Sequence, residues 1–145
     1  MELPNEPKIY TVEEANQLLP WLTTMLKELM VKKKQIEDKQ AEIDALELIS
    51  DENTPKVRTE LLAQSAKFNE WVNQFNEKVK KLDDKGCQLK DMDMGLVDFY
   101  GIIDGKMVFL CWKLGEPQVS YWHDIGSGYI HRKPIGTLKE RDRNG

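Results

Sequence analysis

The chain has 145 residues, enough for one ordinary domain and too few for two. Hydrophobic residues make up 40% and charged residues 32%, and no apolar run approaches the ~18 residues a membrane helix needs, so no membrane partner is expected. The net charge of -4 falls on residues 1–86, with 13 basic and 17 acidic side chains, while 87–145 carry 8 of each. Neither half has the dense positive field that phosphate backbones demand, so no nucleic acid partner is expected.

The opening residues, Met1 to Glu6, hold neither a basic stretch nor an apolar one, so no signal peptide is expected. Cys87 and Cys111 are too few for a disulfide scaffold or a cysteine-only zinc site. The expectation is a cytoplasmic protein with reduced thiols.

Composition shifts near Gly86, from Lys, Glu, Leu and Gln to Gly, aromatics and β-branched residues. Thr11-Val12-Glu13-Glu14 reads as a capping box that starts a helix. Leu22, Leu29, Ile36 and Ile43 then recur every seven residues, flanked at the base by Leu18, Leu19, Met25 and Leu26. Pro20 is expected to kink this helix or mark a restart. Thr54-Pro55 reads as an N-cap with proline at the first helical position. The second helix carries Leu61, Phe68, Val72, Phe75, Val79 and Leu82 as a seam, and Gly86 is its natural C-terminal cap. Two helices of near-equal length joined by a short turn predict an antiparallel hairpin, coiled-coil-like, over 11–86. Trp71 lies beside the seam and faces either the sheet or a second copy of the chain.

Beyond the hairpin, 95–100, 106–114 and 118–123 read as three antiparallel strands, and Asp104-Gly105 is a strong two-residue hairpin signal. The sheet is assigned to 87–134, with 135–145 as a flexible tail, all within a single domain. The first turn sets Phe99 opposite Leu110 and Asp98 opposite Cys111. A tight second turn at Gly115-Glu116-Pro117 would set Ser120 opposite Cys111 and His123 opposite Val108. Parity then assigns Val97, Phe99, Ile103, Val108, Leu110, Trp112, Val119, Tyr121 and His123 to the core face. Leu96, Asp98, Tyr100, Met107, Phe109, Cys111, Ser120 and Trp122 fall on an exposed aromatic face crossed by a polar row.

Three strings carry a resemblance: Gly95-Leu96-Val97-Asp98-Phe99, Leu110-Cys111-Trp112-Lys113-Leu114-Gly115-Glu116-Pro117 and Tyr121-Trp122-His123-Asp124-Ile125-Gly126. With the opening Tyr10-Thr11-Val12-Glu13-Glu14-Ala15-Asn16-Gln17-Leu18-Leu19-Pro20, the chain resembles the bacterial domain-of-unknown-function family 2203. The closing Arg-Gln-Pro element common in that family stands here as Arg132-Lys133-Pro134. The resemblance implies a small bacterial cytoplasmic protein and brings no activity with it.

Asp98, Cys111, Glu116, Trp122, His123 and Arg132 are the candidate binding residues; no catalytic residue is assigned, and no metal or cofactor is expected. Cys111, His123, Asp98 and Glu116 are metal-ligand types, but the expected register parts His123 from Asp98 and Cys111. A carboxylate opposite Cys111 disfavours the thiolate, so Cys111 reads as a small core residue rather than a nucleophile. Asp98 sits among apolar neighbours and needs a partner, with Lys90, Lys113 or Arg132 in reach, or else it anchors a ligand beside Trp122 and Tyr100. Gly126-Ser127-Gly128 is a weak candidate for an amide nest. The expected fold is α+β, a long antiparallel helical hairpin followed by a small antiparallel sheet. The expected function is a non-enzymatic binding or interaction module that self-associates as a dimer through the hairpin, with an unknown protein or small molecule as a further partner. The alternative is a small-molecule enzyme or metal-binding protein with its site around Asp98, Cys111, Trp122 and His123.

Overall fold

The computed structural model describes residues 7–49 and 54–136. Two helices, α1 (Val12–Ile49) and α2 (Pro55–Asp84), precede a five-stranded sheet. Its strands are β1 (Cys87–Asp91), β2 (Leu96–Ile103), β3 (Lys106–Lys113), β4 (Tyr121–Asp124) and β5 (Lys133–Pro134). They lie in chain order, each antiparallel to the next, and a short 3-10 turn at Tyr129–His131 precedes β5. The expected α+β plan holds, and none of the helices is long and apolar enough to cross a membrane among the described residues.

The capping box forms as its residues dictate: Glu14 N–H donates to Thr11 Oγ1 and Thr11 N–H to Glu14 Oε1, both at 3.0 Å. Thr54 caps α2 through Val57 N–H. Pro20 neither ends nor restarts α1, which is continuous through it. Its ring removes the N–H that would donate to the carbonyl four residues earlier, and the Thr24 hydroxyl bonds back to the Pro20 carbonyl at 3.3 Å.

The chain forms two compact units. One comprises residues up to Leu26 and from Lys81 onward, the other Lys27–Lys80. In the first, Leu19, Leu22, Met25 and Leu26 of α1 and Leu82 of α2 are buried, as are Val97, Phe99, Val108, Leu110 and Trp112 of the sheet. Tyr10 ties this unit together. Its N–H donates to the Tyr100 carbonyl, its hydroxyl donates to the Lys85 carbonyl at 2.5 Å, and its ring meets Phe99 edge-on at 5.0 Å. Gly86 ends α2 at φ +85° with Lys8 close by: a Cβ there would lie 3.0 Å from Lys8 Cβ.

In the second unit Leu29 and Ile43 are buried, following the seven-residue row. Lys39 bridges the helices, donating to Glu42 Oε1 at 2.7 Å and to Gln64 Oε1 at 2.6 Å. Lys78 pairs with Glu28 at 2.9 Å. Trp71 meets lysines: the Nζ atoms of Lys32, Lys39 and Lys67 lie 5.4, 5.6 and 5.9 Å from its ring centre.

β1 and β5 lie outside the three strands expected from the sequence. Gln88-Leu89-Lys90-Asp91 has no β-branched residue and the ladder slips between Leu89 and Asp91, so no alternation is visible in the sequence. Lys133–Pro134 is too short to leave a pattern.

Candidate functional site

The two central strands pair as expected. Asp104 and Gly105 both take positive φ, 54° and 77°, so Ile103 faces Lys106, Phe99 faces Leu110 and Asp98 faces Cys111. The next pairing is offset by one residue from the expected one. Cys111 faces Tyr121 rather than Ser120, and Phe109 faces His123. A shift of one turns every β4 side chain to the other side of the sheet.

The connection between β3 and β4 explains the shift. Glu116 closes a turn on Lys113: its N–H donates to the Lys113 carbonyl at 3.0 Å, and its Oε1 accepts from Lys113 N–H at 2.9 Å. Gly115 supports the turn at φ +104°. The Val119 N–H then donates to Asn16 Oδ1 of α1 at 2.6 Å instead of joining the ladder, which resumes at Tyr121. The tight turn expected at 115–117 is therefore replaced by a longer connection anchored on a helix.

This register puts Asp98, Cys111 and His123 on one face, in neighbouring strands, where the sequence reading had separated them. All three are buried, and their ligand-type atoms lie within 4.8 Å of one another. His123 Nε2 is 3.0 Å from Asp98 Oδ2, and His123 Nδ1 is 2.9 Å from the Asp124 carbonyl. A carbonyl only accepts, so the Nδ1 proton is assigned by this contact and Nε2 faces the carboxyl. One proton shared between Nε2 and Oδ2 satisfies that pair, either as imidazolium–carboxylate or as imidazole–carboxylic acid. Asp98 Oδ1 is buried with no hydrogen-bond partner. Burial raises the Asp98 carboxyl above its ordinary value, and the nearby His123 charge opposes that shift. Asp98 thus takes His123 as its hydrogen-bonded partner, and of the expected cations it is Lys90 whose charge also favours the carboxylate.

Beside this cluster stands a second ion pair. Arg132 grips Glu116 with both guanidinium ends, Nη1 to Oε1 at 3.2 Å and Nη2 to Oε2 at 2.5 Å. Its guanidinium lies between the rings of Tyr121 and Tyr129, 4.0 and 4.4 Å from their centres, and Nη1 is 3.9 Å from Cys111 Sγ. Burial and the neighbouring Asp98 push the Cys111 thiol up to about 12, a proton-bearing and unreactive state at neutral pH.

Five of the six candidate binding residues, Asp98, Cys111, His123, Glu116 and Arg132, converge on this face. Trp122 does not. It pairs with Leu110 on the opposite side, and Lys133 Nζ sits 4.7 Å from its ring centre. The face is also less open than its aromatic content suggests, because Phe109, which contacts the His123 ring at 5.5 Å, is buried with the polar row. Tyr121 and Tyr129, which flank Arg132, are not among the residues expected at the site, while Lys90, expected near Asp98, has its Nζ 4.6 Å from the Phe109 ring centre. The only sequence signal for Tyr129 is its place three residues before Arg132. The Gly126–Gly128 segment is a turn, with Ser127 N–H and hydroxyl both donating to the Asp124 carbonyl, so its middle amide already has a partner.

The site residues fall inside a segment, 8–135, that is matched by the profile of a family described as uncharacterised conserved proteins. The chain belongs to domain-of-unknown-function family 2203. No curated protein and no solved structure matches it.

In this family 2203 chain the chemistry open to the cluster is narrowed by the histidine. A cysteine nucleophile needs a base within reach, yet both His123 ring nitrogens are engaged elsewhere, on Asp98 and on the Asp124 carbonyl. The arrangement is therefore not a Cys–His–Asp relay. What it does offer is three donor atoms of different softness, gathered in a buried cluster with one carboxyl oxygen unsatisfied.

Proposed function

We propose that this chain is a non-enzymatic interaction module that self-associates through its helical hairpin. The observation that carries the reading is the state of the α2 seam. Leu61, Phe68, Val72, Phe75 and Val79 are half-buried along its length, where a seam closed by one partner helix on each side would be dry. Leu62 is 72% exposed, and Val31 and Leu48 of α1 are exposed as well. A second hairpin laid against the first would turn two helices into a four-helix arrangement and bury this surface.

The thiols fit a reducing, cytoplasmic setting: Cys87 and Cys111 are free and buried, and their register positions lie on opposite faces of the sheet. Sedimentation equilibrium over a micromolar concentration range is the test. A dimer mass is expected, with Phe68→Glu/Phe75→Glu reducing it to monomer. A wild-type chain that stays monomeric throughout that range overturns the proposal.

A further inference from the structure

We propose that Asp98, Cys111 and His123 form a binding site for a divalent transition-metal ion, zinc being the best fit. The site is independent of self-association through the hairpin, because all three ligands lie on the central strands of one sheet.

Carboxylate, thiolate and imidazole donors bind zinc at about 2.0–2.3 Å, which sets them roughly 3.3–3.8 Å apart around a tetrahedral ion. The three side chains already hold their donor atoms within 4.8 Å of one another, with Nε2 and Oδ2 at 3.0 Å. Small rotations about the side-chain bonds bring them to an ion without moving the strands. The set of one sulfur, one nitrogen and one oxygen selects a borderline-soft ion over magnesium or calcium, which take oxygen ligands.

Asp98 Oδ1 is a buried acceptor without a donor, a costly state for a carboxyl group unless something else serves it. A cation between the three side chains serves it directly.

Metal-bound histidines almost always donate their second ring N–H to a carbonyl or carboxylate, which turns the other lone pair to the metal. His123 does this through Nδ1 and the Asp124 carbonyl, a contact that Ser127 shares by N–H and hydroxyl. Nε2 is thereby directed to the cluster.

Charge balances as well. Binding displaces the Cys111 thiol proton and the proton shared by His123 and Asp98, two in all. One thiolate and one carboxylate then neutralise a divalent ion, and the adjacent Arg132–Glu116 pair is neutral in itself. Arg132 Nη1, 3.9 Å from Sγ, becomes a donor to the thiolate. Three protein ligands leave the fourth position to a water or another small donor.

The experiment is titration of chelator-treated full-length protein with cobalt(II) and zinc(II). One equivalent of cobalt is expected to produce a thiolate-to-cobalt charge-transfer band, reversed by one equivalent of zinc. Calorimetry in buffers of different ionisation enthalpy is expected to count about two protons released per ion. Cys87→Ala should retain the band, whereas Cys111→Ala should lose it and His123→Phe should weaken binding by more than about 100-fold. No band in the wild-type chain, or a band that survives Cys111→Ala, overturns the proposal. The wild-type spectrum and proton count decide the matter even where a substitution prevents folding.

Discussion

His123 Nε2 stands 3.0 Å from Asp98 Oδ2, across two strand spacings of the sheet, with the two side chains 2% and 3% exposed. Residues 25 apart in sequence thus share one buried proton. Both side chains are buried, and Nε2 has no other partner in the hydrogen bonds of the described residues. The pair therefore behaves as a unit, and removing one member leaves the other buried and unpaired.

Asp98→Ala and His123→Ala are each expected to destabilise the fold by ~3–5 kcal/mol. The double replacement Asp98→Leu/His123→Phe should cost much less than the sum of the two single changes, since no unpaired group remains. Urea unfolding of the four proteins in the presence of chelator checks this, and additive effects would show that the two residues are not coupled.

Alkaline pH should weaken the protein. Tyr10, Cys87 and Cys111 are each pushed up to about 12, chiefly by burial. A folded-state value above the unfolded one favours the protonated, folded form, so the contribution is whole below the unfolded values, roughly 8.5 for cysteine and 10 for tyrosine. It is lost as pH climbs from there through about 12. Melting temperature followed from pH 8 upward is expected to fall across this range, and to fall less in Cys87→Ala.

The Arg132–Glu116 grip should not tolerate lysine. Lysine keeps the charge but lacks the planar fork that meets both carboxylate oxygens and stacks between Tyr121 and Tyr129. Arg132→Lys is expected to cost ~1–3 kcal/mol and to raise the rate at which iodoacetamide alkylates Cys111 in the folded protein. An unchanged alkylation rate, with Cys87 as the internal reference, would show that the guanidinium does not shield the thiol.

Gly101 is a packing position. A Cβ there would lie 2.8 Å from Leu110 Cγ, inside contact distance of a buried side chain. Gly101→Ala is expected to cost ~1–3 kcal/mol through overpacking, and Gly101→Ala/Leu110→Val should recover part of that loss in the same unfolding assay.

Local chemistry made much of this protein legible in its sequence. Thr11 and Glu14 announce a helix start because both partners of the capping box lie within one turn. Leu22, Leu29 and Ile43 announce the buried row because a seven-residue spacing returns to one helical face. Asp104-Gly105 settles the β2–β3 register, and with it the Asp98–Cys111 pairing, because few dipeptides accept two positive φ values in succession. Each of these signals is completed within a few residues of itself.

The position of His123 was not of that kind. Whether it joins Asp98 and Cys111 or turns away from them depends on one residue of register in β4, and the deciding contact is the hydrogen bond from Val119 to Asn16, 103 positions away. A strand alternates its side chains with period two, so its own sequence reads equally well in either register. Trp122 was misplaced with His123 for the same reason, and β1 and β5 were missed because short polar strands form only when an existing sheet edge supplies their hydrogen bonds. Local signals suffice for the helices, the first β-turn and the residue types of the site. The tertiary structure decided which of those residues meet, because a helix side chain holds the loop that sets the last register.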